Sequence, residues 1–305
     1  MFTKGYTEIR ALIETQYGVL SQMIYDIDNH YQTSLQHINN DIQQIAKENA
    51  NGDYDVYTSI VHDFDDELDR QKALCIEARR TLFCSIFSYY EKMLYGIADY
   101  YQILSKATQV KQLYNAILAE YKNRYADTIN IAPEQVNNTN ETYRLLRNYF
   151  IHGKLSNKCD RDTLYFNIDF VDGIEHCGYL CIEITQSAFL YTALDNIKFV
   201  LTSIEDAFSN KAQDEWKAYN EARKYFFEAI KLYPPESPGA EDEYPPYCPI
   251  AVYRYLENAE QICLHLVSPQ RKGVKTLLSS IRQFKKYIKI LGLCYPSYRN
   301  IVDKK

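Results

Sequence analysis

The chain has 305 residues, a formal charge of −6, and 46% hydrophobic against 24% charged residues. This is the balance of an ordinary globular protein, and no run of about 18 apolar residues occurs, so we expect neither a disordered chain nor a membrane protein. Only ten Gly and nine Pro are present, and six of the prolines lie between residues 234 and 249. Long stretches with so few helix breakers favour α-helix.

The N-terminal segment and the cysteines predict a cytoplasmic protein. Residues 1–6 lack the apolar core of a signal peptide. Eight Cys are scattered along the chain, and several fall on apolar faces of predicted helices. In a reducing compartment such cysteines are small core residues and do not form a disulfide framework.

The negative net charge hides a strong asymmetry along the chain. Residues 271–305 hold ten Lys/Arg and one Asp, whereas residues 51–69 hold seven Asp/Glu and no Lys or Arg. A third window, residues 144–161, holds one acid, Asp160, and five cations. These cations are Arg144, Arg147, Lys154, Lys158 and Arg161. A basic window of this kind suits a phosphodiester substrate.

The first half of the chain predicts long helices. Apolar residues recur in steps of three and four over residues 5–48, which indicates one long helix with an apolar seam. That seam either joins a partner chain or packs on the next helix. Asn51-Gly52-Asp53 predicts a turn, and the same periodicity predicts helices over about 58–105 and 107–126.

A polar loop at 132–138 precedes a fourth predicted helix, Thr139 to His152, which Gly153 ends. After residue 162 the spacing of the apolar residues changes from three or four to two. Leu164, Phe166, Ile168 and Phe170 alternate with polar residues, and Leu180, Ile182 and Ile184 do so again. With Asp172-Gly173 between the two runs, the pattern predicts a β-hairpin over residues 163–185.

Helix is predicted again over 186–232, with a break near Ser209-Asn210, and in two closing helices over 250–267 and 272–291. We therefore expect a mainly all-α fold in four segments. These are an N-terminal helical arm (1–57), a helical bundle with the hairpin (58–232), a proline-rich linker or lid (233–249) and a basic C-terminal helical segment (250–305).

The fourth predicted helix carries the most specific pattern, Arg147-Asn148-Tyr149-Phe150-Ile151-His152. It resembles the Arg-x(4–6)-His motif of the HEPN superfamily, in which a polar residue often follows the arginine. The resemblance covers roughly residues 68–208 and implies a four-helix bundle, here with an inserted hairpin. It also implies a metal-independent endoribonuclease, often a toxin or anti-phage effector, that forms homodimers with both motifs facing one cleft.

The chemistry of these side chains is coherent by itself. An imidazole that titrates near neutrality can take the proton of an RNA 2′-OH or protonate the leaving 5′ oxygen. A guanidinium stabilises the charge that develops on the phosphoryl oxygens. Asn148 would orient His152 or the phosphate. We therefore predict Arg147, Asn148 and His152 as catalytic residues.

Further residues complete the predicted site. Arg144, Lys154, Lys158 and Arg161 are expected to bind substrate. Glu91 could support the site from the second helix, although a solvated surface glutamate is the competing interpretation. No metal and no cofactor are expected. The expected partners are an RNA substrate, a second copy of the chain and a neutralising or regulatory protein, with no membrane.

Other candidate patterns are weaker. Cys159, His176, Cys177 and Cys181 contain a Cys-x(3)-Cys spacing, but zinc sites normally pair two such elements, so packing residues are favoured. The run His62 to Glu67 could bind a divalent cation, yet acidic runs are usually solvated helix faces. No phosphate-binding glycine loop and no Gly-x-Ser-x-Gly elbow occur.

The last predicted helix has an apolar stripe and a basic remainder. It either guides RNA or a partner protein, or is an ordinary amphipathic helix that offsets the acidic body.

For the whole chain, the main hypothesis is an endoribonuclease that leaves 2′,3′-cyclic phosphate and 5′-OH ends. The alternative is a non-catalytic helical adaptor that binds a partner protein or nucleic acid.

Overall fold

The computed structural model describes residues 4–49, 52–103, 107, 109–152, 171–176, 179–232, 249–266 and 272–294. The helices are α1 (Lys4–Asn49), α2 (Tyr54–Asp63), α3 (Asp65–Tyr100), α4 (Val110–Tyr125), α5 (Pro133–Asn137), α6 (Tyr143–His152), α7 (Ser187–Lys231), α8 (Pro249–His265) and α9 (Lys272–Cys294). A π-helical turn, Asn138–Thr142, precedes α6. Strands β1 (Val171–His176) and β2 (Tyr179–Ile184) form an antiparallel pair. The mainly all-α prediction is confirmed.

The described part of the chain divides into two compact units. Of the described residues, those within 4–123 and 127–207 form the motif unit, and those within 124–126 and 208–294 form the C-terminal unit. This division differs from the predicted segments in two places. Helix α1 packs within the motif unit and is no separate arm, and the boundary falls inside α7 instead of after residue 232.

The seam of α1 packs on the next long helix, one of the two predicted alternatives. Ile13 and Ile24 are fully buried, and Tyr89 Oη of α3 donates to the carbonyl of Ile13 at 3.1 Å. Further along, Arg79 of α3 forms an ion pair with Asp28 at 2.7 Å. Burial of the apolar side chains and these cross-helix bonds fix α1 in the core of the motif unit.

Aromatic residues fill the core of the motif unit. Phe83 of α3 contacts the rings of Tyr143 and Phe150 of α6 edge to face, each with 5.9 Å between ring centroids. Phe189 of α7 packs against the Phe83 ring, with 5.5 Å between the ring centroids. Helices α3, α6 and the first part of α7 therefore share one core, and α6 is fixed on it by its buried face.

Several predicted boundaries are corrected by the structure. The expected single helix over 58–105 is divided at Phe64 and ends at Tyr100. The expected loop at 132–138 contains α5, which has Pro133 in its first turn. The expected break near Ser209-Asn210 is absent, because α7 runs through it. Gly52 has φ +86° and Asp53 caps α2, as the predicted turn requires.

The hairpin prediction was right in type and wrong in register. Asp172 pairs with Glu183 and Gly173 with Ile182, so the expected turn residues lie within β1. The pairing continues to His176 and Tyr179. Residues 163–170, which were expected to form the first strand, lie outside the described residues, as does the proline-rich segment up to residue 248.

The C-terminal unit has its own apolar core. The later part of α7 packs with α8 and α9 through small and branched side chains. The buried residues are Ala222, Ala229, Val252, Leu256, Ala259, Cys263, Leu266, Val274, Leu277, Ile281 and Ile288. The apolar stripe predicted for the last helix is thus confirmed at Val274, Leu277, Ile281 and Ile288.

Among the described residues, no helix is long and apolar enough to cross a membrane.

Candidate functional site

Helix α6 is held at its N-terminal end by one buried and one partly buried polar contact. Tyr90 Oη, in α3, donates to Asn140 Oδ1 at 2.8 Å, and both residues are buried. Asn196 Nδ2, in α7, donates to Tyr143 Oη at 2.8 Å. Asn140 lies in the π-helical turn, a local distortion that often occurs at functional sites. These contacts fix the direction in which α6 leaves the core.

Arg147 is half-buried and is oriented by its neighbour. Its Nη1 donates to Asn148 Oδ1 at 3.1 Å. Its Nε is buried and has no acceptor among the described residues. The guanidinium is therefore oriented by Asn148, and a substrate phosphate can reach only its terminal nitrogens, because the buried Nε is not accessible.

His152 is the last residue of α6 and its side chain is exposed. The ring makes no hydrogen bond with a described residue. Five positions along a helix separate His152 from Arg147 by about 140° around the axis. Ile151, which is 49% exposed, lies between them around the axis, about 40° from Arg147 and about 100° from His152. The half-buried Arg147 and the exposed His152 thus leave α6 in different directions, and no direct bond joins them.

Arg144, a predicted substrate-binding residue, is partly committed to another contact. Its Nη2 lies 3.2 Å from Glu141 Oε2, and Lys111 Nζ pairs with the other carboxylate oxygen. Burial acts to raise the pKa of Glu141, but the hydrogen bonds from Lys111 and Arg144 lower it below its usual value. The charge of Arg144 is therefore partly neutralised.

Sequence reasoning missed Arg80, which lies on α3 beside the C-terminal end of α6. Its Nη2 donates to the carbonyl of Phe150, and its guanidinium carbon lies 5.5 Å from the centroid of the Phe150 ring. Nη1 lies 3.2 Å from Glu77 Oε2. A cation on a carbonyl of the last turn stabilises the negative end of a helix. Arg80 therefore fixes the end of α6 that carries His152.

Cys84 lies in the same region of α3. Burial raises the pKa of its thiol, while the nearby positive charges of Arg147 and Arg80 act in the opposite direction. Both guanidinium groups are therefore close enough to influence one side chain. The adjacent pair Arg79-Arg80, shortly before the apolar run that begins at Leu82, was the available signal, although only the tertiary contact assigns Arg80 to this site.

A groove of about 510 Å³ lies between α3, α6 and β2. Tyr149 and Phe150 of α6 form part of its wall, and Tyr149 Oη accepts a hydrogen bond from the backbone nitrogen of Ile182 at 3.1 Å. Its lining residues are Asp69, Lys72, Ala73, Ile76, Glu77, Arg80, Tyr149, Phe150, Ile182 and Glu183. Cations and carboxylates both occur in this lining, so the groove is not uniformly basic.

Glu91 does not lie beside His152. Arg80 contacts Phe150 at one end of α6, whereas Tyr90 contacts Asn140 at the other. Glu91 is eleven positions beyond Arg80, or about 16 Å along α3. The predicted supporting role is therefore corrected, because α3 and α6 run antiparallel and bring Glu77, not Glu91, to the His152 end.

Three predicted substrate-binding residues, Lys154, Lys158 and Arg161, lie outside the described residues, as do Gly153, Cys159 and Cys177. His62 Nδ1 lies 2.7 Å from Asp65 Oδ2 in the acidic run. Within the ranges that the structure describes, no group of three or more His, Cys, Asp or Glu could hold a metal ion. Cys75 and Cys263 are free and buried, as expected of core cysteines.

Comparison of the chain with protein-family models, with curated proteins and with solved structures found no match. The case for a function therefore depends on the geometry and chemistry of the residues around α6. Arg147, Asn148 and His152 form the candidate site, and Arg80 and Cys84 line its α3 side.

Proposed function

We propose that this protein is a metal-independent endoribonuclease of the HEPN type that acts as a toxin or anti-phage effector. The main support for the proposal is the exposed His152 at the end of an anchored helix, with the half-buried Arg147 of the same helix oriented by Asn148. An exposed imidazole is accessible to a large polymer substrate. A buried pair satisfied by core partners would favour a structural role.

The reaction needs only the RNA and protein side chains. A base removes the proton from a 2′-OH, and that oxygen attacks the adjacent phosphorus. The bond from phosphorus to the 5′ oxygen breaks, and the leaving oxygen takes a proton from an acid. The products are a 2′,3′-cyclic phosphate and a 5′-OH. His152 is assigned the proton transfer, and Arg147 the stabilisation of charge on the phosphoryl oxygens.

One histidine cannot be base and acid at the same moment, so the proposal includes a homodimer. A second copy facing the open side of α6 would bring in a second His152. Ile151, which is 49% exposed between Arg147 and His152, gives that side an apolar contact point. The proposal also includes a neutralising or regulatory protein, because an unrestrained ribonuclease would damage its own cell.

The test uses matched histidines in the full-length chain. His152→Ala should reduce cleavage of a labelled RNA by roughly 100-fold or more, since general acid–base catalysis contributes about 10²–10⁴. His265 is the matched control, because it is also exposed and also ends a helix. His265→Ala should cleave RNA at the wild-type rate.

Arg147→Ala should reduce the rate of RNA cleavage by a comparable factor. Arg254 is an exposed arginine of α8, and Arg254→Ala should cleave at the wild-type rate. Chelation of divalent cations should leave the wild-type rate unchanged. Undiminished cleavage by His152→Ala would remove this residue from the mechanism. Equal losses in both histidine variants would point to damage to the fold.

The second candidate function is that of a helical adaptor. It is favoured by a row of exposed apolar residues on α1, where Leu12, Val19 and Met23 are 52%, 50% and 44% exposed. Their spacings of seven and four place them on one face. An adaptor would show no RNA cleavage in the wild type, and Leu12→Ser with Val19→Ser would abolish binding of its partner protein.

A further inference from the structure

Helix α9 of the C-terminal unit is strongly basic, in a chain whose net charge is negative. Residues Lys272–Cys294 contain six Lys/Arg and no Asp or Glu. The six are Lys272, Lys275, Arg282, Lys285, Lys286 and Lys289. Such a concentration of one sign on one helix creates a local positive potential that the charge of the whole chain conceals.

Three of these cations form one line on the surface. Lys275, Arg282 and Lys286 are exposed and lie seven and four positions apart. These spacings place them within about 40° of one another around the helix and along about 17 Å of its length. They border a shallow depression of about 380 Å³, whose other lining residues are Leu278, Ser279 and Gln283. We call this surface the α9 stripe.

Most of this charge is not neutralised by described residues. Arg282 and Lys285 share one carboxylate, that of Glu260 in α8, at 3.0 and 2.7 Å. Burial raises the pKa of Glu260, but the hydrogen bonds from Lys285 and Arg282 hold it below its usual value, so it stays ionised. Lys275 and Lys286 form no ion pair with a described residue. The stripe therefore keeps an excess of positive charge.

The apolar side of α9 is already occupied. Val274, Leu277, Ile281 and Ile288 are buried in the core of the C-terminal unit. A helix that binds a membrane surface needs an exposed apolar face next to its basic one. In the α9 stripe the residues between the cations are mainly polar, such as Ser279 and Gln283. The stripe is therefore suited to a hydrophilic polyanion and not to lipid.

We infer that the α9 stripe binds the phosphate backbone of RNA without sequence preference and so retains the substrate that the α6 site cuts. The choice of RNA as the polyanion rests on the proposed function. A line of three cations suits a polymer with one charge per nucleotide, whereas a small anion would use only one or two of them. Ser279 and Gln283 add hydrogen-bonding groups along the same line.

The test measures binding separately from cleavage. The probe is a 20-nucleotide single-stranded RNA in which every 2′-OH is methylated, so that it has no nucleophile and stays intact whether or not the protein is a nuclease. The variant is the full-length triple substitution Lys275→Gln, Arg282→Gln, Lys286→Gln. The control removes the same charge from exposed positions of α7, as Lys217→Gln, Lys224→Gln, Lys231→Gln.

The dissociation constant is measured by fluorescence anisotropy over a series of salt concentrations. Each phosphate contact on a single strand contributes about 0.7 to the slope of log affinity against log salt. The stripe variant should therefore lower this slope by about 2 and weaken binding at low salt by 10-fold or more. The α7 control should keep the wild-type slope, and thermal unfolding should show both variants folded.

An unchanged slope in the stripe variant, or an equal loss in the α7 control, would overturn the inference. Tighter binding of wild type to phosphatidylserine vesicles or to poly-glutamate than to the RNA would also overturn it. If the chain binds the methylated RNA through the stripe but cuts no unmodified RNA, the nuclease proposal fails and the binding surface stands. If the chain cuts RNA but its binding does not depend on the stripe, the nuclease proposal stands and the inferred binding surface fails.

Discussion

In the motif unit, polar side chains cross between helices inside the core, whereas the C-terminal unit is packed mainly by apolar side chains. Arg79, Tyr90 and Asn196 each join two helices of the motif unit through buried or partly buried hydrogen bonds. The core of the C-terminal unit contains Ala222, Ala229 and Ala259, and among its described residues Glu260 of α8 forms ion pairs with Arg282 and Lys285 of α9.

This difference corresponds to the different tasks proposed for the two units. Directional hydrogen bonds specify the position and orientation of α6, which a catalytic arginine and histidine require. Binding a polymer backbone through a row of long basic side chains needs a stable support but tolerates less exact placement. Four substitutions test whether polar contacts contribute more to stability in the motif unit than in the C-terminal unit.

Arg79→Met should have the largest effect. Arg79 is 8% exposed and donates to Asp28, Ser187 and the carbonyl of Thr185. Methionine keeps about the same volume but removes all three bonds, leaving the Thr185 carbonyl without this donor and the Asp28 carboxylate without its cation. We expect the free energy of unfolding to fall by about 3 kcal/mol, measured by urea denaturation. Arg70→Met, at an exposed position of α3, should change it by less than about 0.5 kcal/mol. Equal effects would contradict the assigned role of Arg79.

Glu205→Gln should change how stability depends on pH. The carboxyl of Glu205 is fully buried and forms no hydrogen bond with a described residue. Burial raises its pKa from 4.5 to about 7. The negative charge of Asp206 adds to this shift, and the positive charge of Arg10 opposes it. The native state therefore keeps a proton that the unfolded chain loses, so this group makes stability fall as pH rises from about 4.5 to about 7.

The expected loss over that interval is about 2–3 kcal/mol, because one pKa unit corresponds to about 1.4 kcal/mol. Glu205→Gln should not show this loss of stability, and it should be more stable than wild type at pH 8. Denaturation at pH 5 and at pH 8 measures both effects. Glu221→Gln, at an exposed position of α7, should keep the wild-type profile. If the stability of wild type and that of Glu205→Gln change by the same amount between pH 5 and pH 8, Glu205 is not the group responsible.

Tyr90→Phe tests the anchor of the π-helical turn. The substitution leaves the buried Asn140 Oδ1 without its donor, at an expected cost of about 1–2 kcal/mol. If α6 is positioned by this contact, RNA cleavage should also decline. Tyr95→Phe is the control, since Tyr95 is 48% exposed. Loss of stability without any loss of cleavage would show that this anchor is not needed for the site.

Glu260→Gln should have the smallest effect. Its partner Arg282 is 57% exposed, so water and salt screen that contact, and glutamine keeps an amide oxygen that can accept a hydrogen bond from the less exposed Lys285. We expect a loss below about 1 kcal/mol in urea denaturation. A loss as large as that of Arg79→Met would remove the contrast between the two units.

Much of the architecture followed from periodicity, and the errors have physical causes. The bounds of α1 were predicted almost to the residue because its seam continues for forty residues. Pro133 begins a helix, since its fixed φ suits a first turn, yet the surrounding polar residues favoured a loop. Asp172-Gly173 is a common turn sequence, but pairing with Glu183 and Ile182 places it in a strand.

The site was predictable only in part. The position of His152 at the end of a helix followed from Gly153 and the apolar spacing of the preceding residues. The contacts of Arg80 with Phe150, and its proximity to Cys84, depend on which face of α3 packs against α6. One sequence does not contain that information in a local pattern. For the same reason Glu91 was expected at the wrong end of α6.

The most direct test of the account is the chemistry of the RNA ends. Purified protein is incubated with labelled single-stranded RNA in the presence of EDTA, and the product termini are identified by mass spectrometry. Wild type and His265→Ala should leave 2′,3′-cyclic phosphate and 5′-OH ends, and His152→Ala should leave the RNA uncut. Products with 3′-OH and 5′-phosphate ends, or the same cyclic ends from His152→Ala, would contradict it.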